Sequence, residues 1–393
     1  MRCLLFLLNS RGYGYEYGPP CGGCGSCAHC NGDGAYIDGM PWANNSGLFN
    51  SCAFVVDMLN ASGVGARLVQ ISGPQEIADK IIACGATDVV VEALFVPPAV
   101  LAALTVKFPA IRFVVRVHSE ILFLVNDSVA MEWIFGYLNS SNVSVAANTA
   151  RCAEDLREVA LSYFPHWDVN TVAHRVGVLP NYYPVPAALP HVPSQFGMLN
   201  VGCFGAIRPL KNQLLQAIAS IEVARTLGKR LRFHVNASRI EANTPAILRN
   251  LRALFAHAVN AELVEEDWLP RSQFMSLVRR MDIGSQVSVS ETFNIVSADF
   301  VTNNVPVIVS PEIVWCDPRV QAQPTQRGDI VRKMLIALRA ESIITKNRAG
   351  LLAYNEQSRA MWLSVFGLSA TGWTDRPASF VARPAITSQL THG

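Results

Sequence analysis

Short unbroken apolar runs alternate along this chain with longer stretches whose apolar residues recur every three or four positions. The first run, Cys3 to Leu8, predicts a buried strand, and Gly47 to Ala61 then carries Leu48, Phe49, Cys52, Val55, Val56 and Leu59 at helical spacing. Further strands are predicted at Ala66–Ile71, Asp88–Ala93, Ile111–Val117 and Val143–Ala147, with helical segments between them. Residues 179–196, LPNYYPVPAALPHVPSQF, break the alternation with five prolines and no Asp, Glu, Lys or Arg, the composition of a linker. The pattern then restarts, with strands at Met198–Phe204, Leu231–Asn236, Ala261–Glu265, Gly284–Val289 and Val305–Val309. Helices are predicted after Pro209, near Pro245–Ala258, near Arg271–Arg280 and over Phe293–Asn303. Runs that are apolar on both faces belong to parallel sheets covered by helices on each side. The fold class is therefore α/β, as two doubly wound domains facing each other across a hinge. In such sheets ligands bind beyond the carboxyl ends of the strands, which makes the cleft between the domains the expected site.

A length of 393 residues agrees with two domains. With half its residues hydrophobic and 16% charged, the chain can bury a large core and is not disordered. Its longest apolar stretch, Asp88 to Val106, contains Glu92 and Pro97-Pro98, against a membrane span. Met1 to Leu8 is too short for a signal peptide, so a soluble cytoplasmic location is expected. The net charge of +2 hides a split: residues 1–190 hold 10 Lys/Arg against 15 Asp/Glu, and residues 191–393 hold 22 against 15. A basic second half favours an anionic ligand there, and no strongly basic stripe marks a dedicated DNA-binding domain.

Two constellations in the second half carry candidate chemistry. Gly205-Ala-Ile-Arg208-Pro-Leu-Lys211-Asn-Gln lies where a strand hands over to a helix: Gly205 lets the backbone approach a ligand, and Arg208 and Lys211 bring two cations suited to a diphosphate. The plain alternative is a pair of solvated basic residues. Later, Ser290-Glu291-Thr-Phe-Asn-Ile-Val-Ser-Ala-Asp299 leads into Asn303-Asn304-Val-Pro306-Val. Its helix start can hold a phosphate or sugar hydroxyls on free N–H groups, and Glu291 and Asp299 can accept from paired hydroxyls. Read alone, Glu291 is equally a helix-start acid and Asp299 a surface charge.

Together, GAIRPLKNQ and SETFNIVSADFVTNNVPVIVS resemble the retaining GT-B glycosyltransferases that use nucleotide-sugar donors, over most of the chain from Leu4 to about Phe366. The resemblance implies that Arg208 and Lys211 hold the donor diphosphate, Glu291 the transferred sugar and Asp299 the nucleotide ribose. Backbone groups of Phe293, Asn294 and Ile295 would line the sugar and phosphate pocket. Asp299 stands where the family has Glu, shortening the reach by about an ångström, and Asn304 stands where it has Gly. His118, in Arg116-Val-His118-Ser-Glu120, falls where the family keeps a His at the cleft floor. Ser46-Gly47 resembles its glycine turn, whose amides approach the donor phosphate. Leu179-Pro180-Asn181-Tyr182 resembles its Pro-Asn-Gly hinge, with Tyr182 in place of Gly. Trp268 falls where the base would lie, with core packing as the alternative. The family also implies an N-terminal acceptor-side domain over residues 1–185 and a C-terminal nucleotide-sugar domain over 186–350. Residues 351–393 would supply a helix, from the stretch Ile344–Phe366, that returns to the first domain, followed by a tail.

The implied activity is transfer of a hexose, with retention, from a UDP-glucose-like donor by front-face attack. His118, Glu291, Arg208 and Lys211 would be the catalytic set. Arg208 and Lys211 do the work that a metal performs in other transferases, so no catalytic metal is expected. Inside the first domain, an insertion over residues 11–45 carries Cys21-Gly-Gly-Cys24-Gly-Ser-Cys27-Ala-His-Cys30. Four thiols at two-residue gaps favour metal over disulfides in a cytoplasmic protein, with structural zinc first, an iron–sulfur cluster as its rival and a bare loop as the third case. The remaining cysteines, including Cys3, Cys52, Cys84 and Cys203, fall in apolar elements and are expected to be buried free thiols.

The phrases LLNSRGYGY, RVHSEI, NDSVAMEWIFGY, AANT and LPNYYP resemble glycosyltransferases encoded by tailed bacteriophages. That points to a hydroxymethylated pyrimidine, 5-hydroxymethylcytosine first, in double-stranded DNA as acceptor and to the host cytoplasm as location. The acidic balance of the first half weighs against DNA. A transferase acting on cell-surface or capsule glycans is the second reading. A non-catalytic nucleotide-sugar or nucleic-acid binding module is the third, disfavoured by the joint presence of Arg208, Lys211, Glu291 and His118.

Overall fold

Valine-rich runs form the middle of the first lobe. Residues 88–92, 112–117 and 143–147 lie side by side as parallel strands whose residues are almost all buried on both faces, as their unbroken apolar character requires. The computed structural model describes residues 3–9, 47–125, 127–187, 190–192, 194–240 and 245–367. Cys21, Cys24, Cys27, Cys30, Ser46 and the tail Ser369–Gly393 lie outside the described residues.

The first lobe runs β1 (Cys3–Asn9), α1 (Gly47–Ala61), β2 (Gly65–Ile71), α2 (Ile77–Cys84), β3 (Asp88–Glu92), α3 (Pro98–Lys107), β4 (Arg112–Val117), α4 (Ile121–Leu124), α5 (Ala130–Leu138), β5 (Val143–Ala147), α6 (Ala150–Tyr163), α7 (Val169–Arg175) and β6 (Val176–Val178). Its six strands are parallel in the order β2-β1-β3-β4-β5-β6. The second lobe runs β7 (Met198–Gly202), α8 (Gln213–Thr226), β8 (Arg230–Asn236), α9 (Pro245–Ala256), β9 (Ala261–Glu266), α10 (Arg271–Val278), β10 (Ile283–Gln286), α11 (Ile295–Thr302), β11 (Val307–Val309), α12 (Arg327–Arg339) and α13 (Ser342–Phe366). Its five strands, also parallel, follow β11-β10-β7-β8-β9. Two doubly wound sheets of this kind are the expected architecture.

Differences are local. The short strand β6 has too few residues to show a period, and pairing with β5 creates it. The strand expected to reach Val289 ends at Gln286, because the chain turns there towards Glu291. The helix expected from Phe293 starts at Ile295, where Asn294 caps it from the left-handed region at φ +54° and accepts the Ser297 N–H at 2.9 Å. Helix α11 lies so close to β10 that a Cβ on Gly284 would stand 2.5 Å from the Phe300 ring. Asn304 adopts φ +57°, which Asn tolerates better than most residues. All six cysteines of the described residues are free, but Cys3 and Cys84 are half-buried rather than buried, since each ends its element at the lobe surface.

Helix α13 ties the lobes together. Its first half, through Ile343, Leu351 and Tyr354, belongs to the core of the second lobe, whereas Trp362, Val365 and Phe366 pack beside Leu4 and Phe6 of the first. Asn355 brackets the hinge backbone, donating to the Tyr183 carbonyl at 2.6 Å and accepting its N–H at 3.1 Å. Beneath this helix Arg116 is fully buried. It donates to the Leu179 carbonyl (2.8 Å), Asn181 Oδ1 (2.5 Å) and Glu92 (3.2 Å), and its guanidinium faces Trp362 at 5.2 Å. A buried charge of this kind is tolerated because it is paired with a carboxylate and hydrogen-bonded on several sides.

Replacing Arg116 by alanine leaves the Glu92 carboxylate buried without its main counter-charge. We expect a loss of about 3–5 kcal/mol in denaturant unfolding followed by tryptophan fluorescence. A loss under about 1 kcal/mol, the range of exposed pairs, would contradict this account of the network.

Candidate active site

Strand order locates the site. From β7 the chain moves outward to β8, and from β10 it moves the other way to β11, so right-handed crossovers lie on opposite faces and a crevice opens between the carboxyl ends of the adjacent strands β7 and β10. The turn after β7 opens with Gly205 at φ +110°, a conformation that glycine adopts without a steric penalty, and its N–H donates to Asn236 Oδ1 at 2.9 Å. That turn presents Arg208 and Lys211, and the loop after β10 presents Glu291.

The two loops meet. Lys211 Nζ donates to Glu291 Oε1, and Ser288 Oγ donates to the same oxygen at 3.2 Å. Both charged side chains are largely buried. Burial pushes the Glu291 carboxyl up, but the Lys211 and Arg208 cations outweigh it and hold the group below its usual range. The Arg208 guanidinium reaches the first lobe, 4.5 Å from the ring centroid of Phe123 on α4.

On the facing side, His118 follows β4, with Nε2 2.5 Å from Glu92 Oε2. Burial and the Arg116 charge press the imidazole below its ordinary value, and Glu92 opposes them only in part. Glu92 itself is held low by Arg116 and His118 against its own burial. A neutral ring that donates from Nε2 to a carboxylate keeps Nδ1 as an acceptor. The His118 carbonyl accepts from Thr292 Oγ1 at 3.4 Å, across the cleft. The start of α1 also comes up to the start of α11: a Cβ on Gly47 would lie 3.5 Å from Ile295 Cγ2.

Around α11 the Phe293 and Asn294 side chains have structural roles. Phe293 is buried against Tyr183, Trp315 and Tyr354, and Asn294 caps the helix. What they can offer a ligand is backbone. Asp299 lies under the hinge, 2% exposed, where its Oδ1 accepts from the Tyr183 hydroxyl at 2.6 Å and from Arg271 at 3.0 Å. Burial raises its pKa beyond what Arg271 and Tyr183 pull back. Both bonds fall on Oδ1, so a ribose contact through Asp299 requires the cover over this buried carboxylate to move. Trp268 sits beyond the end of β9, half-buried, with its backbone N–H donated to Ser238 Oγ at 2.8 Å and its ring 4.7 Å from the Arg239 guanidinium. The structure thus gathers Arg208, Lys211, Glu291, His118, Gly47 and Ile295 at one cleft, and ties Asp299 to the hinge and Trp268 to the sheet rim.

Several participants escaped sequence reasoning. Glu92 had a signal, an acid closing a strand directly after three consecutive valines. Asn148, Arg151, Thr292 and Glu312 had none, because their roles depend on the lobes facing each other. Among the described residues, no group of three or more His, Cys, Asp and Glu side chains is placed to hold a metal, and no helix is long and apolar enough to cross a membrane.

No protein-family model matches the chain, and neither does any curated protein. Solved structures do match. A UDP-forming α,α-trehalose-phosphate synthase from Burkholderia vietnamiensis is 10% identical with a TM-score of 0.64, over 95% of this chain and 98% of that one. An E. coli structure described as trehalose-6-phosphate bound with UDP-2-fluoro glucose is 12% identical with a TM-score of 0.61, over 93% and 99%. S. aureus TarM, solved as a point mutant with fondaparinux, α-GlcNAc-glycerol and UDP, is 12% identical with a TM-score of 0.53, over 71% of this chain and 55% of that one. The chain has the GT-B fold.

The His118 environment yields a prediction with a definite sign. A histidine whose folded pKa is depressed stabilises the protein fully above its ordinary value of about 6.5, and this contribution is lost as pH falls below that value towards the folded pKa. An NMR titration is expected to place the His118 midpoint below 6.5. A midpoint at or above that value would contradict the arrangement.

Proposed function

We propose that this protein is a retaining glycosyltransferase that moves a hexose from a UDP-sugar to an acceptor hydroxyl. The observation that carries the reading is the buried pairing of Lys211 with Glu291 at the crevice between β7 and β10, with the Arg208 charge near enough to lower the carboxyl, opposite His118. Two cations at a switch point suit a diphosphate, and a carboxylate beside them suits sugar hydroxyls. The neighbours support uridine diphosphate as the leaving group, since the synthase is UDP-forming and TarM was solved with UDP.

In this reading the bond from the sugar's anomeric carbon to the diphosphate oxygen breaks while the acceptor oxygen bonds to that carbon on the same face. The acceptor's proton passes to the departing diphosphate. Arg208 and Lys211 neutralise the charge that develops there, and the reading assigns this role to them rather than to a catalytic metal. Once Lys211 turns to the diphosphate, Glu291 is released to accept from the sugar. His118 Nδ1 accepts from a hydroxyl of the sugar or of the acceptor. Asp299 remains the candidate for the ribose and Trp268 for the base.

For the acceptor, the hydroxymethylated pyrimidine of DNA rests on the sequence phrases alone. The trehalose-phosphate synthases among the neighbours favour a phosphorylated sugar as a rival acceptor. Mass spectrometry of hydroxymethylcytosine-containing DNA and of hexose phosphates, each incubated with the protein and UDP-sugars, separates them by where the hexose increment appears.

Arg208→Ala and Lys211→Ala are each expected to lower kcat/KM for donor turnover by about 10²–10³-fold, the scale of removing one preorganised charge-stabilising donor. Release of UDP is the readout. Unchanged turnover in both variants would overturn the assignment.

A further inference from the structure

One segment of the first lobe, from the end of β5 into the first turn of α6, grips the loop that carries Glu291. Asn148 Nδ2 donates to Thr292 Oγ1 at 3.0 Å. Arg151 donates to Glu312 Oε1 at 2.9 Å and lies 3.4 Å from the Glu291 carbonyl. Glu312 in turn accepts the backbone N–H of Glu291 at 2.6 Å, so both ends of that residue's backbone are held. On its own side Arg151 is anchored by Nε, which donates to Glu120 at 3.1 Å, and Glu120 is buried and also accepts from Thr149 at 2.7 Å.

We propose that Arg151, assisted by Asn148, is a positioning residue that latches the two lobes together and sets the backbone on which Glu291 is mounted. One guanidinium joins a buried carboxylate of the first lobe to a carboxylate of the second, so its bonds can form only when the lobes are together. The same carboxylate of the second lobe fixes the Glu291 amide. Closure and placement of the acid thereby become a single event, which ties donor chemistry to a closed cleft. The turnover part of this proposal rests on the transferase reading; the latch itself does not.

The test uses the full chain as wild type, Arg151→Ala, Arg151→Gln and Glu312→Gln. Small-angle X-ray scattering without donor reads lobe separation, and steady-state UDP release reads chemistry. The Arg151 variants are expected to show a larger radius of gyration than wild type with unchanged circular dichroism. Their kcat should fall on the order of 10- to 100-fold with a smaller change in donor KM, and adding Glu312→Gln to Arg151→Ala should cost nothing further. An unchanged radius overturns the latch, whatever the activity does. An increased radius with unchanged kcat overturns the positioning role. An increased radius in the variants with no turnover even in wild type upholds the latch and removes the transferase reading instead.

Discussion

The pairing of Lys211 with Glu291 is the interaction on which the site depends. Each side chain comes from a different loop, and the loops meet only because β7 and β10 are neighbours whose helices depart to opposite faces. Neither charge would be tolerated at this depth alone, and together they are poised for exchange. In the proposed reading, an incoming diphosphate would offer Lys211 a better-charged partner and leave the carboxylate facing the ligand. The pair would then be both a support for the cleft and the feature that a ligand rearranges.

The rest of the molecule holds the two halves of the cleft in register. Arg116 links the floor under His118, through Glu92, to the hinge carbonyl of Leu179 and to Asn181. Trp362 covers the same guanidinium from α13 and donates to the Pro180 carbonyl at 2.8 Å. The hinge is therefore part of the site's foundation. Tyr183, within it, carries the cluster with Asp299 and Arg271. Around Tyr182 the backbone is held by side-chain hydrogen bonds from Arg116, Asn355 and Trp362.

Much of this was legible in the sequence because the signals were local. Unbroken valine runs reported strands buried on both faces, the proline-rich stretch reported the connection between the two sheets, and Gly205, Arg208 and Lys211 stood at a strand-to-helix handover. What could not be read was anything set by partners far along the chain. Asp299, to which the resemblance assigns the ribose, also takes Arg271 and Tyr183 as partners, and no local pattern announces either. Thr292 and Glu312 acquire their roles only from Asn148 and Arg151 across the cleft. The start of α11 was misplaced by two residues because a capping Asn in the left-handed region leaves no mark in apolar periodicity. The cysteine run, the strongest unabsorbed motif, lies outside the described residues.

Calorimetric titration of UDP into the wild-type protein and into Glu291→Gln tests the central claim most directly. If Glu291 is the resident partner that a diphosphate displaces from Lys211, UDP binds the wild type, and the variant binds it at least as tightly, because the competing carboxylate is gone. Absence of binding to the wild type, or weaker binding to the variant, would contradict the account.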